Sequence, residues 1–261
     1  MKKTPIFQLP EDIPAHYLPL LADVQIYDSS CSEAARVYYI DKDNGCYLKA
    51  APKGSLQQEA QLARFFHEKG LGAQVLDYHS SNRDWLLTRK VPGEDCVHKA
   101  YRADPMRLSQ TLGELLRSLH ETDPTSCPVP DRTKTYLDTV YQSYHAGSFS
   151  KSAYPNNQDY DSFEAAWQTV QQFAPCLKTD VLLHGDYCLP NILLDNWAFS
   201  GFIDLGCGGI GDRHIDLYWG AWSLWFNLKT DRYCTRFLDA YGRDKIEPEL
   251  FRAIGAFECF G

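Results

Sequence analysis

The fold of this chain is decided by the stretch His184-Gly185-Asp186-Tyr187-Cys188-Leu189-Pro190-Asn191, together with Ile203-Asp204-Leu205-Gly206 shortly after it. The aspartate and the asparagine of the first stretch are separated by four residues, and a second aspartate closes the next apolar segment. Enzymes that transfer phosphoryl groups use this set. The first aspartate orients the attacking hydroxyl and accepts its proton, while the asparagine and the second aspartate hold Mg²⁺.

The glycine after His184 separates this motif from that of protein kinases, which read His-Arg-Asp and Asp-Phe-Gly at these two places. Gly185 in place of arginine favours a kinase of small molecules. An aspartate and an asparagine at this spacing also occur by chance as turn formers, but the flanking apolar segments and Asp204 make coincidence a poor explanation. His184 suits a buried histidine that supports the loop better than a base or a metal ligand, because kinase-type catalysis places the base on aspartate.

Upstream, phosphoryl transfer needs a lysine on a strand, paired with a glutamate on a helix. Lys49 lies inside the apolar, strand-like run 46–50, and Glu59 falls on the inward side of the following predicted helix. In isolation Glu59 would be interpreted as a solvated helix glutamate. With the downstream motif present we predict an ion pair between the two side chains. Lys53 is the rival lysine, but it follows Pro52 in a loop.

A phosphate-binding loop is expected between the first two strands of a kinase-like sheet. Ahead of the strand predicted at 37–40, the chain reads Ser29-Ser30-Cys31-Ser32-Glu33-Ala34-Ala35. This segment is small and rich in hydroxyl groups, and its backbone N–H groups could cap a phosphate. It contains no glycine, and a plain turn explains it equally well.

The segment after the second motif is predicted to be a helix with structural roles. Asp212 is expected to cap its N-terminus, and Asp216 to hydrogen-bond the backbone of the catalytic loop rather than a metal. Trp219, Trp222 and Trp225 recur every three residues and therefore share a helix face. Such a stripe is more often part of a core than the wall of a ligand site, and both interpretations stay open.

Composition narrows the class of protein. The chain has 261 residues, of which 44% are hydrophobic and 23% charged, as is usual for a globular protein. Its net charge of −8 argues against a nucleic-acid partner and suits a cationic small molecule. The nine cysteines are scattered without a C-x-x-C pair, so we expect reduced thiols in the cytoplasm. No signal peptide and no apolar span of about 20 residues is found, so no membrane partner is expected.

The first ninety residues have the pattern of strands around one helix. Strands are predicted at 37–40, 46–50, 74–78 and 84–88, with an Asn44-Gly45 turn between the first two. A helix is predicted from Ser55 to Lys69, opened by a capping box of Ser55 and Gln58. The pattern breaks at Val91-Pro92-Gly93, where we place the boundary between two lobes.

Beyond that boundary the periodicity becomes helical. Asp104-Pro105 predicts the start of a helix with a leucine face, and a polar surface loop is expected over residues 143–162. Short strands are predicted at 181–184, 191–194 and 199–203, followed by aromatic-rich helices. The sequence thus predicts an α+β fold with two lobes. Residues 1–93 form a small antiparallel sheet with one helix for nucleotide binding, and residues 94–261 a mostly helical lobe for catalysis and acceptor binding.

These motifs resemble those of the aminoglycoside phosphotransferases, and are closest to the aminoglycoside 3′-phosphotransferase branch. The likeness rests on residues 183–192 and 199–206, and extends to Cys31–Ala35, Tyr47–Lys49, Trp85–Leu87, Val91–Gly93 and Leu119-His120. It implies a bilobal, protein-kinase-like fold and an ATP-dependent transfer to a hydroxyl group, with Mg²⁺ as the metal.

The resemblance also implies roles for individual residues. Asp186 is the catalytic base, Asn191 and Asp204 bind Mg²⁺, and Lys49 pairs with Glu59. Further nucleotide contacts are implied for Tyr47 on the adenine, for the backbone of Arg89 and Val91 at its edge, and for Ser30, Cys31 and Ser32 over the phosphates. Acidic residues bind the antibiotic in this family, and the nearest candidates are Asp159, Asp161 and Glu258.

The substrate half departs from the family pattern. Members commonly carry an arginine at the position of Cys207, and another on the following helix near Trp222. A less charged and more aromatic acceptor pocket is therefore expected.

The leading hypothesis is phosphorylation of a cationic aminoglycoside by a monomer or weak dimer. Alternatives are the same chemistry on a sugar, a choline-like alcohol or a macrolide, and a pseudokinase that binds nucleotide without turnover. The complete set of Lys49, Glu59, Asp186, Asn191 and Asp204 argues against the pseudokinase. A metal-dependent hydrolase would be built on His184, Asp186, Asp204 and His214, but these residues do not form a ligand cluster at recognised spacing.

Overall fold

The structure is a computed structural model that describes residues 3–6, 10–31, 33–151, 160 and 162–261. Its chain contacts group into two compact units. One comprises Met1–Asp95 with Leu193–Gly206, and the other Cys96–Ile192 with Cys207–Gly261. The predicted lobes at 1–93 and 94–261 stay a prediction, and residues 193–206 group with the first unit.

The first unit contains a six-stranded sheet in which neighbouring strands are antiparallel. Its strands are β1 (Thr4–Ile6), β2 (Ile26–Asp28), β3 (Arg36–Ile40), β4 (Cys46–Pro52), β5 (Val75–Ser80) and β6 (Arg83–Arg89). Their order is β1-β2-β3-β4-β6-β5. On one face Leu48 pairs with Tyr38 and Leu87, and all three side chains are buried. The four strands predicted from the sequence are present.

The helices of the first unit are α1 (Leu18–Leu21) and α2 (Gln57–Glu68). The predicted helix at 55–69 is therefore found, but its capping box is wrong. Ser55 Oγ donates to the carbonyl of Pro52, and Gln58 donates to the carbonyl of Gly206. The backbone N–H of Leu56 instead donates to the buried carboxylate of Asp84, on β6. A side chain distant in sequence thus replaces the local cap.

A three-stranded sheet of order β10-β9-β7 adds β7 (Glu94–Asp95), β9 (Ile192–Asp195) and β10 (Ala198–Phe202). In the second unit β8 (Val181–Leu183) pairs antiparallel with β11 (Gly209–Gly211). The short strands predicted around the two motifs are confirmed. Leu182 and Leu183 are fully buried, so the end of β8 holds the start of the first motif within the core.

The second unit is mainly helical. Its helices are α3 (Lys99–Arg102), α4 (Pro105–His120), α5 (Arg132–His145), α6 (Phe163–Phe173), α7 (Arg213–Leu228), α8 (Cys234–Tyr241) and α9 (Pro248–Phe257). Asp104 caps α4 as predicted, accepting the N–H of Arg107. The loop predicted at 143–162 starts later, because α5 extends to His145. Within the described part of the chain, the helices are too short or too polar to cross a membrane.

Candidate active site

The first motif is held by a buried carboxylate on α7. Asp216 is fully buried and accepts the backbone N–H groups of His184 and Gly185, both at 2.8 Å. It also contacts Nε2 of His120 at 3.3 Å. Burial lowers the pKa of His120 below its usual value, and the charge of Asp216 opposes that shift. The structural role predicted for Asp216 is confirmed.

His184 is a core residue, as expected. Its ring is fully buried and its Nδ1 accepts the backbone N–H of Asp186 at 3.3 Å. A histidine in this place shapes the backbone of the loop. Asp212 caps α7 by accepting the N–H of His214.

Gly185 is required by the shape of the loop. Its φ of +83° lies in the left-handed region, and a Cβ built on it would come within 1.8 Å of the carbonyl oxygen of Cys207. A side chain there would therefore be strained twice, by its own backbone and by a fixed neighbour. The glycine that separates this motif from protein kinases thus permits a close approach of two backbones.

Replacing Gly185 by alanine is expected to lower the free energy of unfolding by about 3 kcal/mol or more, because backbone strain and overpacking add. Gly54→Ala is the matched control. It has a similar φ of +86°, and no described residue lies within 4 Å of the added Cβ. Its cost should stay near 1–2 kcal/mol. Urea unfolding of both variants measures the difference, and equal midpoints would contradict the close approach.

Asp186 and Asn191 are joined by hydrogen bonds. Nδ2 of Asn191 donates to Oδ2 of Asp186 at 2.8 Å and to its backbone carbonyl at 3.1 Å. The thiol of Cys188 also hydrogen-bonds this carboxylate, and burial raises the pKa of the thiol, so it stays protonated. These hydrogen bonds fix the orientation of the Asp186 carboxylate.

The first unit contains a cluster of three charged side chains. Nζ of Lys49, on β4, lies 2.9 and 2.8 Å from the two carboxylate oxygens of Glu59, on α2, and 2.6 Å from Oδ1 of Asp204. Burial alone would lower the pKa of Lys49, but the two carboxylates outweigh it and raise that pKa. The ammonium is therefore charged. Lys53, the rival candidate, is exposed in the turn after β4.

Asp204 follows β10 with a φ of +61°, in the left-handed region that few residues other than glycine, asparagine and aspartate adopt. Strain of this kind is concentrated at functional sites. Its side chain is 53% exposed although Lys49 contacts it, so the carboxylate can also reach a ligand. The carboxylate of Asp204 and the amide of Asn191 are hard oxygen donors, the kind that Mg²⁺ prefers.

The other residues predicted to contact the nucleotide lie at the following positions. Tyr47 lies half-buried on β4, 5.1 Å from the ring of Tyr39. Ser30 is held in a turn, because its Oγ accepts the N–H of Val37 and its own N–H donates to Asp28. Cys31 follows it and is exposed.

At the end of β6 the N–H of Arg89 donates to the carbonyl of Gln74, and Val91, two residues later, is buried. That N–H is therefore already engaged. Ser32, Asp159 and Asp161 lie outside the described residues.

Glu258, directly after α9, is the centre of a polar cluster. The sequence predicted Glu258 itself but not its partner Tyr136. Its Oε1 accepts the hydroxyl of Tyr136 at 2.7 Å, and the side chain of Trp219 donates to the same carboxylate. Burial raises the pKa of Glu258 to about 7, although these hydrogen bonds and the charge of Arg132 oppose the rise. Asp186 is close enough to add its own repulsion.

Arg132 and Tyr136 were missed by the sequence analysis. Nε of Arg132, on α5, donates to the carbonyl of Cys207 at 2.8 Å, which places a guanidinium beside Cys207. In the sequence, Arg132 is marked only by its position directly after Asp131, the residue that caps α5. Such a signal marks a helix start and carries no information about a site.

An antiparallel sheet bearing a lysine–glutamate pair, together with a catalytic loop of this form, defines a kinase-like phosphotransferase. The chain belongs to the phosphotransferase enzyme family, whose model matches residues 32–253. It is 46% identical over 242 residues to a probable aminoglycoside 3′-phosphotransferase of Lactococcus lactis subsp. lactis (strain IL1403), covering 92% of each chain. The aminoglycoside 3′-phosphotransferase of Niallia circulans is 27% identical, with 92% of this chain and 94% of the relative covered.

Solved structures agree with this assignment. The crystal structure of an aminoglycoside 3′-phosphotransferase of type VIII superposes with a TM-score of 0.72 at 25% identity, covering 88% of this chain and 90% of the other. An aminoglycoside phosphotransferase of Streptomyces rimosus, in complex with ADP and streptomycin, has a TM-score of 0.63 at 22% identity, covering 85% and 90%. The resemblance stated from the motifs and the α+β, kinase-like fold are confirmed.

Proposed function

We propose that this chain transfers the γ-phosphoryl group of ATP to a hydroxyl of an aminoglycoside, as a 3′-phosphotransferase. The proposal is carried by the joint presence of the Lys49–Glu59–Asp204 constellation and the Asp186–Asn191 pair. The chain's 46% identity to a relative named for this activity supports the choice of acceptor.

Each residue is proposed to have a role that follows from its chemistry. Lys49, kept charged by its carboxylate partners, pairs with the α- and β-phosphates. Asn191 and Asp204 would hold Mg²⁺, which neutralises charge on the phosphate oxygens when it is bound. Asp186, oriented by the amide of Asn191, accepts the proton of the acceptor hydroxyl as the new O–P bond forms.

The remaining nucleotide contacts are part of the proposal. Tyr47 stacks on the adenine, and the backbone near Arg89 and Val91 meets the edge of the base. Since the N–H of Arg89 donates to Gln74, its carbonyl is the group proposed to contact the base. The loop of Ser30, Cys31 and Ser32 covers the phosphates.

The acceptor is proposed to be a polycation bound by Glu258, with Asp159 and Asp161 as further carboxylates. Glu258 qualifies because it lies near Asp186, so a group bound there is close to the base. We also propose the lobe roles at 1–93 and 94–261, a cytoplasmic location and a monomer or weak dimer.

The test is phosphotransfer by the purified chain with ATP and Mg²⁺. Kanamycin- and neomycin-type acceptors, a neutral sugar, an amino alcohol and a macrolide are compared by ADP release and by the mass of the product. We expect transfer to the aminoglycosides. Robust transfer to a neutral sugar or alcohol alone would contradict the proposed acceptor, and ATP binding without any transfer would indicate a pseudokinase.

The acceptor KM is expected to depend on pH through Glu258. The pKa of this carboxyl is raised to about 7, so it is ionised above that pH and becomes neutral below it. The acceptor KM should therefore rise as the pH falls from 8 to 6. Protonation of the acceptor amines acts in the opposite direction, so Glu258→Gln should lose the rise.

The matched control is Glu249→Gln, an exposed glutamate in the first turn of α9. It should keep the wild-type pH profile. The same profile in wild type and in Glu258→Gln would show that this carboxylate does not bind the cation.

A further inference from the structure

Asp84, on β6, carries a fully buried carboxylate that the proposed mechanism does not use. Its Oδ2 accepts the backbone N–H of Leu56 at 3.0 Å, and its Oδ1 accepts the hydroxyl of Ser80 at 2.6 Å. The backbone N–H of Gly54 and the hydroxyl of Tyr78 donate to the same carboxylate. Burial alone would raise the pKa of Asp84, but these hydrogen bonds outweigh it and lower that pKa. The carboxylate is therefore ionised and held by four donors.

Asp84 lies at the junction between the strand of Lys49 and the helix of Glu59. In the register of the sheet it pairs with Ala51, two residues after Lys49 on β4. Its hydrogen bond to Leu56 holds the turn that leads from β4 into α2, and it satisfies an N–H that has no partner within the helix. A negative charge at a helix N-terminus is also favourable. The position of the first turn of α2 relative to β4 therefore depends on Asp84.

That first turn makes two contacts with the charged cluster. Both carboxylate oxygens of Glu59 contact Nζ of Lys49, at 2.9 and 2.8 Å. Gln58 donates to the carbonyl of Gly206 at 2.9 Å, two residues after Asp204. Lys49 also lies 2.6 Å from Asp204, the proposed ligand of Mg²⁺. A displaced turn would take Glu59 away from Lys49, and the ammonium would then pair with Asp204 alone.

We propose that Asp84 is a positioning residue for phosphoryl transfer, which holds the first turn of α2 so that Glu59 directs Lys49 toward the phosphates of ATP. This inference rests on the proposed function and goes beyond it, since no reacting group is proposed to contact Asp84. Without the carboxylate, Lys49 competes with Mg²⁺ for Asp204. Loss of Asp84 should therefore weaken the binding of ATP and Mg²⁺, and leave the acceptor KM unchanged.

The test is a double-mutant cycle between Asp84 and Glu59, measured by calorimetric titration with ATP in the absence of acceptor and by kinetics over a range of Mg²⁺ concentrations. Asp84→Ala should raise the Kd for ATP and the Mg²⁺ concentration for half-maximal turnover about tenfold, the order of effect expected for a lost helix cap. In a Glu59→Gln background it should change either value by about twofold at most, because its effect passes through Glu59. An undiminished loss in that background would overturn the proposal, since a general loss of stability does not depend on Glu59.

Two further variants separate position from stability. Asp84→Asn keeps an oxygen that accepts the N–H of Leu56, and the hydroxyl of Ser80 can turn to accept from the new amide, so most of the ATP affinity should return. Asp104→Ala removes the exposed aspartate that caps α4, a helix whose first turn holds no residue of the proposed site. It should lower the melting temperature and leave the Kd for ATP unchanged.

Ser80→Ala serves where Asp84→Ala does not fold, because Ser80 is exposed and its loss removes only one of the four donors. It should raise the Kd for ATP by about two- to threefold, and not in the Glu59→Gln background. A Kd equal to that of the wild type would then overturn the proposal. If the wild-type chain bound ATP but transferred phosphate to no aminoglycoside, the proposed function would fall, whereas the role of Asp84 would still be decided by the affinity for ATP.

Discussion

Asp186→Ala is expected to lower kcat by about 10²–10⁴-fold, the usual contribution of a general base. The Kd for ATP should stay close to the wild-type value, because the carboxylate is proposed to contact the acceptor hydroxyl and not the nucleotide. Steady-state ADP release with a saturating aminoglycoside measures kcat, and calorimetric titration with ATP measures binding. Turnover near the wild-type rate would mean that another group accepts the proton.

Two control variants distinguish the loss of the proposed base from a general effect on folding or charge. Asp186→Asn preserves the shape of the side chain but cannot accept the proton, so it should be as slow as the alanine variant. Asp244→Ala removes a carboxylate that is 69% exposed and should leave kcat unchanged. A large loss in Asp186→Asn with an unchanged melting temperature would exclude misfolding as the cause.

Asp204→Asn is expected to remove turnover that depends on Mg²⁺, since a neutral amide replaces the charge proposed to bind the metal. The variant is chosen for its backbone, because asparagine tolerates the left-handed φ of +61° at this position as well as aspartate does. Lys49 keeps its partner Glu59, so the fold of the first unit should survive. The measurement is ATP affinity and kcat over a range of Mg²⁺ concentrations.

Asp204→Ala serves as the comparison. It removes the same charge and adds backbone strain of about 1–2 kcal/mol, so it should unfold at lower urea concentration than Asp204→Asn while being equally inactive. If Asp204→Asn retained wild-type Mg²⁺ dependence, the proposed metal role of Asp204 would be wrong.

Local sequence signals predicted much of the fold. The Asn44-Gly45 turn joins β3 and β4, and Asp104-Pro105 opens α4, because each depends on only a few adjacent residues. The capping box at Ser55 failed for the opposite reason. The N–H of Leu56 is capped by Asp84, which is 28 positions away in the chain. No local pattern carries that information.

In the candidate site, too, contacts between residues close in sequence could be predicted and contacts between distant residues could not. Asp186, Asn191 and Asp216 occur within one motif and its following helix, so their hydrogen bonds could be anticipated. Tyr136 and Glu258 lie 122 positions apart, and their contact depends on how α5 packs near the end of α9. The Trp222 stripe was ambiguous because a three-residue period does not tell whether a helix face meets protein or solvent.

Asn191 is proposed to bind Mg²⁺ and to orient Asp186, two tasks for one planar amide group. Its nitrogen donates to Asp186, so the amide oxygen must point the other way. A cation that binds this oxygen would also fix the plane of the Asn191 amide. It would thereby fix the N–H groups that donate to the carboxylate of Asp186. In the proposed mechanism, cation binding by Asn191 and proton acceptance by Asp186 are thus mechanically linked. An aspartate at 191 would bind a cation equally well, yet it would lose the donor and set two negative charges against each other. A substitution that changes cation binding at this position would therefore also change the hydrogen bond to Asp186.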